Sequence, residues 1–497
     1  MTSPNTLNAD YLIIGSGAVG MAFADVLFHE TDATMVIVDR HHGPGGHWND
    51  AYPFVRLHQP SAYYGVNSRV LGSDARDCTR LNFGMCDRAT SAELVSYYEQ
   101  LMRAFIASGR VQYFPISNYV GDYGHDHRFQ SLTSGASRRV DCRKRVVDTS
   151  YLNTSVPSTH PPKYAVAPGV KCVPLNNLTQ VTHAPSGYVV VGAGKTGIDA
   201  ALWLLDNGVA ANDICWIMPR DAWLQDRANV QPGDEFFAQS YAAFAIQMEA
   251  VAQAESVADL FVKLEAAGQW LRLDAGIQPG MFHGAVVSQA ELTELRQIKN
   301  IVRLGRVQRI DKDCIVLTHG TVASDPDRLY VDCTASAVER RPGVSIFAGN
   351  KITPQMVRTF QPTFSGAFIA HIEAAYRGSL SEAEMNELCS VIPMPDQPFH
   401  WLTMLAVSMT NQRRWSKNPE LRNWIAQSRL DAFSAMASRI KPEETDKLAL
   451  LQRFSKAAGP AAEKIPQLLA GINAGSGLDP IWAITRLTLK PPGSPRR

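Results

Sequence analysis

Tyr11-Leu-Ile-Ile-Gly15-Ser-Gly17-Ala-Val-Gly20 is an apolar, β-type run that breaks into G-x-G-x-x-G and continues as helix. The pattern returns about 175 residues later as Tyr188-Val-Val-Val-Gly192-Ala-Gly194-Lys-Thr-Gly197. In such a unit the first glycine makes the tight turn, the second lets the backbone approach a pyrophosphate, and the third lets helix and strand pack closely. The helix N-terminus then holds phosphates with its free N–H groups and its dipole. One copy is a weak signal, because glycine-rich turns are common. Two copies in strand-turn-helix context point to two dinucleotides on one chain, an arrangement used to pass a hydride from a nicotinamide to a flavin.

Outward from the first turn, the pattern predicts a helix over 18–28 and a strand over 34–38 that ends in Asp39-Arg40. Asp39 lies 19 residues after Gly20, close to the spacing at which a carboxylate accepts ribose hydroxyls. Gly15, Gly17, Ala18, Gly20, Asp39 and Arg40 are therefore the expected FAD contacts. The second unit predicts a strand over 188–191, a helix over 195–207 and a strand over 214–218, but no acid ends it. It runs instead into Pro219-Arg220. A guanidinium there would pair with the extra phosphate of NADP, which a carboxylate would repel. The expected NADP contacts are Gly192, Gly194, Lys195, Thr196, Gly197 and Arg220; a solvated loop arginine is the plain alternative for Arg220. A P-loop is excluded, since Val189 stands where G-x-x-x-x-G-K needs glycine.

Between and beyond the two turns, apolar residues at helical spacing mark 91–108, and strand-like pieces follow to Val147. Residues 153–185, rich in Pro, Ser, Thr and Asn, read as a connection. A long helical stretch is expected over 234–267, and strand-like pieces lead to Leu329-Tyr-Val-Asp332-Cys-Thr-Ala335. The fold class is α/β: two Rossmann-like dinucleotide-binding domains with a helical C-terminal extension. The expected boundaries are 1–180 and 329–379 for the FAD domain, 186–328 for the NADP domain with a helical insertion, and 380–497 for the extension. That extension carries Trp401, Trp415 and Trp424, and the alternatives for it are a lid over the pocket, a homodimer interface or an appended tail.

The whole chain, 497 residues with 45% apolar side chains, is long enough for two or three cores. A net charge of +1 lends no support to a nucleic-acid or acidic-membrane partner. No uncharged apolar run reaches the roughly 18–20 residues of a membrane span. The eight cysteines form no C-x-x-C and fit neither a zinc site nor a disulfide framework, so a cytoplasmic protein with reduced thiols is expected and no metal.

With Gly45-Gly46-His47-Trp48 following the first unit, the chain resembles the class B flavoprotein monooxygenase superfamily, which includes the flavin-containing and Baeyer–Villiger monooxygenases. The resemblance covers about 8–60, 186–222 and 329–375. It implies that NADPH reduces FAD, that O2 adds at the flavin C4a carbon, and that the resulting peroxide oxygenates a small organic substrate. It also implies flavin contacts at Gly46, His47 and Trp48 and a strand-end role for Asp332. The segment Tyr52-Pro-Phe-Val-Arg56-Leu-His58-Gln59-Pro60 resembles the stretch beside the isoalloxazine, which makes Arg56, His58 and Gln59 the catalytic candidates. Each has a plain alternative: Trp48 as a core residue, His58 and His160 as hydrogen-bonded structural histidines, Arg56 as a surface-paired arginine. One departure stands out. The superfamily's Phe-x-Gly-x-x-x-His-x-x-x-aromatic fingerprint is absent, with no Phe between Thr149 and Gly187. A dehydrogenase, reductase or oxidase without oxygen insertion therefore stays open. Disulfide reductases of the same fold are excluded, because His47-Trp48 occupies the place of their cysteine pair.

Overall fold

The computed structural model describes residues 6–122, 126–334, 338–339 and 341–472. Ala335 of the strand-end motif and residues 473–497 of the extension lie outside the described residues.

The strand Thr6–Ile14, the helix Ala18–Glu30 and the strand Met35–Val38 form a parallel strand-helix-strand unit, with Ile14 opposite Val38. Around it a sheet runs in the order Phe347–Ala348, Lys351–Ile352, Ser137–Asp148, Thr6–Ile14, Met35–Val38, Val111–Phe114. All of these neighbours pair in parallel except the first two, which are antiparallel. Alternate side chains point to opposite faces. Tyr11, Ile13, Met35 and Ile37 pack with the helices Ala18–Glu30 and Pro362–Tyr376, while Leu12, Ile14, Val36 and Val38 pack with Phe129 and Val140 on the other face.

The second unit repeats the arrangement with Tyr188–Val191, the helix Lys195–Asp206 and Ile214–Ile217, where Val191 stands opposite Ile217. Its sheet is parallel throughout, in the order Ile301–Val302, Ile214–Ile217, Tyr188–Val191, Leu329–Asp332, Cys172–Pro174. Val190, Trp216 and Val331 pack toward the helix Lys195–Asp206; Val189, Cys215, Ile217 and Tyr330 pack on the opposite face, toward Ile310, Ile315 and Leu317.

Two expectations change. The stretch 153–185 is more than a connection: it supplies Cys172–Pro174 as an edge of the second sheet and Ala165–Val166 as an edge of a small four-stranded sheet. The physical reason is that this polar segment also carries Tyr164, Leu175 and Leu178, which are buried. The helical stretch after Asp234 is two helices, Phe237–Gln253 and Val257–Ala266. Ser256 divides them: its extended backbone and its hydroxyl, which accepts from the Asp259 N–H, start a new helix.

The C-terminal helices serve two cores. Trp415, Leu421 and Ile425 pack with the first sheet's helices, whereas Trp401, Leu402, Ala461 and Ile465 pack with Phe261, Trp270 and the helix Phe237–Gln253. Trp415 is 2% exposed, packs against Phe368 with ring centroids 4.5 Å apart and the rings tilted by 44°, and donates its indole N–H to the Leu388 carbonyl at 2.8 Å. Trp415→Ala is expected to cost about 3–5 kcal/mol of stability, the usual cost of emptying a buried tryptophan site. Denaturant unfolding measures this; a loss below about 1 kcal/mol would show that the extension is not part of the core.

Candidate functional site

Both glycine turns are built by backbone contacts that exclude any side chain. Gly15 and Gly192 have φ of +96° and +130°. A Cβ on Gly20 would lie 2.0 Å from the Gly15 carbonyl oxygen, and one on Gly197 would lie 2.1 Å from that of Gly192. The middle glycines behave differently. Gly17 touches the loop at Gly46, with 3.6 Å from its would-be Cβ to the Gly46 Cα, while a Cβ on Gly194 would meet nothing within 4 Å. Each middle glycine is the N-cap of a helix whose first turn has neither a side-chain cap nor an acidic residue. Uncapped helix N–H groups beside a glycine suit the negative oxygens of a phosphate.

Asp39 follows directly on the strand Met35–Val38. One of its oxygens accepts from the Ser16 N–H at 2.5 Å and from the Ser16 hydroxyl at 2.8 Å; the other accepts from the His41 N–H at 2.8 Å. The His41 ring sits 2.8 Å from both Asp39 and Asp50 and ties the strand end to the loop that follows. Burial lifts the Asp39 carboxyl, but hydrogen bonds from the His41 ring and backbone and from Ser16 outweigh it, and the acid stays below the usual carboxylate range. Asp39 is thus an ionised acceptor at neutral pH at the end of the strand.

The loop carrying Gly46-His47-Trp48 joins the two units. Trp48 packs against the cores of both sheets and donates to the Tyr64 hydroxyl at 3.1 Å. Phe54 stacks on Trp203 of the second helix at 5.1 Å. The Tyr52 hydroxyl donates to Asp199 at 2.5 Å, and the same carboxylate holds the Lys195 ammonium. Residues 46–59 therefore form a junction between the first glycine turn, touched at Gly17, and the helix of the second unit, touched at Asp199 and Trp203.

His58 lies at this junction. Burial and the positive charges of Lys195, Arg227 and Arg88 pull its pKa well below the usual imidazole range, so the ring is neutral near pH 7. His47 is lowered to about 4 by burial and by His41, against a weaker pull from Asp50. Burial lowers Lys195 while Asp199 opposes the shift. Arg88 is buried and drops to about 10, mainly by burial. Behind it Arg227 is anchored to Glu291 at 2.7 Å and to the Val286 carbonyl at 2.9 Å.

The remaining candidates sit as follows. Ala18 is buried in the first turn of its helix, and Arg40 is exposed. Thr196 is half-buried beside Lys195. Arg56 donates to the Arg88 carbonyl at 2.9 Å and pairs with Asp87 at 3.6 Å. Gln59 has a buried amide nitrogen with no hydrogen-bond partner among the described residues. Asp332 is 1% exposed, bonded to the Thr334 hydroxyl at 2.6 Å and to the Tyr164 hydroxyl at 3.3 Å, so it braces the strand end from inside. Arg220 is paired with Asp396. The His160 Nε2 is buried with no hydrogen-bond partner among the described residues. Several residues of the site are not candidates from the sequence, among them Asp199, Tyr52, Arg88, Arg227 and Asp396. Asp199 is signalled by its i,i+4 spacing from Lys195. Tyr52 opens the segment Tyr52–Pro60 but is not among its catalytic candidates, and Arg88, Arg227 and Asp396 carry no local signal.

The chain is 44% identical over 470 residues to uncharacterized proteins of Mycobacterium tuberculosis and Mycobacterium bovis, an alignment that covers 94% of this chain and 86% of each of theirs. It belongs to one family with these mycobacterial proteins. No family model matches the chain. Among solved structures, cyclohexanone-bound cyclohexanone monooxygenase superposes with a TM-score of 0.50 at 14% identity, covering 78% of this chain and 92% of that one. The resemblance to the class B flavoprotein monooxygenase superfamily holds at the level of the fold.

Two outcomes test the geometry. Gly194→Ala places its methyl group in open space and should leave stability within about 1 kcal/mol, whereas Gly197→Ala drives a methyl into the Gly192 carbonyl and should cost about 3 kcal/mol or more. Urea unfolding of the two variants checks the contrast, and equal stabilities would contradict the close approach at Gly197. The second concerns pH. The folded pKa of His58 lies below its unfolded value, so as pH falls through about 6.5 the unfolded chain binds the proton first and stability is lost. His58→Gln should lose less stability than the wild type between about pH 7.5 and about pH 5.5. Identical losses in both proteins would mean that His58 titrates like an exposed imidazole.

Proposed function

We propose that the chain is an FAD-dependent, NADPH-using oxidoreductase of the cytoplasm, a monooxygenase acting with O2 on a small organic molecule. The observation that carries this reading is the pairing of the two glycine turns across one junction, through the Tyr52–Asp199 bond and the His58–Lys195 neighbourhood. The residues present fit both nucleotides. At the first turn an uncapped helix N-terminus and the ionised Asp39 suit a pyrophosphate and a ribose. At the second, the open face of Gly194 leaves room for a pyrophosphate, with Lys195 and Thr196 beside it.

FAD, when bound, would supply hydride acceptance and reaction with O2. The chain's own contribution is positional and electrostatic. Gly17 and Gly46 would let the backbone close over the pyrophosphate. Trp48, packed between the two cores, would help to exclude water from the junction. His58, neutral and flanked by three cations, offers a ring nitrogen that can give or take a hydrogen bond, and that field favours negative charge developing beside it. Arg56 and Gln59 complete this wall in the proposal. The missing Phe-x-Gly fingerprint favours, as the second reading, a dehydrogenase, reductase or oxidase with the same two nucleotides and no oxygen insertion.

The purified chain should be yellow, with one flavin per chain, and Gly17→Val should abolish flavin binding while leaving a folded protein. Full flavin content in that variant would remove the first-site assignment. Rapid mixing of the reduced protein with O2 separates the two readings: a distinct transient before the oxidised spectrum returns supports oxygenation, and a single-phase return supports the second reading.

A further inference from the structure

Arg220 stands two residues beyond Met218, and Met218 follows its strand as Asp39 follows the equivalent strand of the first unit. Its guanidinium is already engaged. Nη1 and Nη2 donate to the two carboxylate oxygens of Asp396 at 3.1 and 2.7 Å, the fork geometry that a phosphate would also take. Asp396 comes from the C-terminal region, just before the helix His400–Ser416. Its backbone is pinned, because its N–H donates to the His400 Nδ1 at 3.0 Å and its carbonyl accepts from the Phe282 N–H at 2.9 Å. The carboxylate has a second partner in His283, whose Nε2 lies 3.0 Å away. The other acid nearby, Asp221, is committed to Arg303 through bonds of 2.8 and 2.9 Å. Among the described residues, Asp396 is thus the acid that meets Arg220.

We propose that Asp396 is a specificity-determining residue of the second nucleotide site: it holds the Arg220 guanidinium until the 2′-phosphate of NADP displaces it. This rests on the reading of Arg220 given above. A carboxylate and a phosphate cannot occupy the same edge of one guanidinium, so 2′-phosphate binding exchanges one charged, two-point contact for another. The net gain from the phosphate is therefore smaller than an open arginine would give. After the exchange Asp396 keeps His283 as its partner. The same exchange loosens the segment between Ser390 and Phe399, which joins the helix Glu382–Leu388 to the helix His400–Ser416. NADP would reach the C-terminal helices in this way, and NAD, lacking the phosphate, would not.

The test is calorimetric titration of NADP+ and of NAD+ into the full chain as purified, at one fixed salt concentration, for the wild type, Asp396→Asn, Arg220→Ala and the double variant. Asparagine keeps the shape of the side chain and removes the charge. Asp396→Asn should tighten NADP+ about tenfold and leave NAD+ unchanged, and should have no effect on NADP+ in the Arg220→Ala background. Hydrogen exchange at the wild-type amides of Met394, Asp396, Gln397 and Phe399, which needs no variant, should speed up with NADP+ and stay constant with NAD+. Unchanged NADP+ affinity in Asp396→Asn, equal tightening of both nucleotides, or an undiminished effect without Arg220 would reduce Asp396 to a structural tether and overturn the proposal. Binding of neither nucleotide to the wild type or to Asp396→Asn would overturn the second-site reading itself, and Asp396's role with it.

Discussion

A methyl group at position 20 would stand 2.0 Å from the Gly15 carbonyl oxygen, and one at position 197 would stand 2.1 Å from that of Gly192. These two backbone contacts let a helix start directly on the end of a strand, and the rest of the architecture is arranged around them. Each places an uncapped helix N-terminus at the carboxyl edge of a parallel sheet, where α/β proteins gather their ligands. The contact at the first turn is reinforced from outside. The Thr149 hydroxyl donates to the Ile14 carbonyl at 2.7 Å and lies where side chains on Gly15 and Gly20 would have to go.

The charges around the junction are not evenly paired. Lys195 is held by Asp199 and Arg227 by Glu291, while the carboxylates nearest Arg88 lie 3.6 and 4.0 Å away. Three cations thus act on one neutral imidazole, that of His58. Removing charges from water is costly, and such an arrangement is tolerated where the surrounding network satisfies most of their donors. Here Asn82, Glu291 and the Val286 carbonyl take the two Nη groups of Arg227, while its buried Nε has no partner among the described residues. The segment 46–59 joins this network to the second unit through Tyr52 and Phe54, so packing and electrostatics at the junction depend on the same segment.

The C-terminal helices are tied in at two levels. Trp415 and Trp424 pack on the helix Pro362–Tyr376, which itself lies against the helix of the first turn. At the other level, the polar contact of Asp396 with Arg220 and His283 meets the end of the second unit's strand. A region with no recognisable motif is in this way mechanically connected to both units.

What the sequence by itself determined are the two strand-turn-helix units. Glycine spacing is a steric requirement of the backbone and acts locally, so the helices beginning at Ala18 and Lys195 and the strands ending at Ile14 and Val191 could be read directly. Asp39 was legible for the same reason: a fixed number of residues spans one helix and one strand. The tertiary structure decided the rest. Arg220 looks like an open phosphate reader in sequence, yet a carboxylate 176 residues away takes its guanidinium. Asp332 reads as a strand-end ligand, while its carboxylate is turned inward to Tyr164. The polar stretch 153–185 reads as linker, although a few buried side chains draw it into two sheets. Partners across such separations leave no trace in local periodicity. Only chain folding brings Tyr52 to Asp199 and Asp396 to Arg220, because ion pairs and hydrogen bonds depend on distance in space and not on distance along the chain.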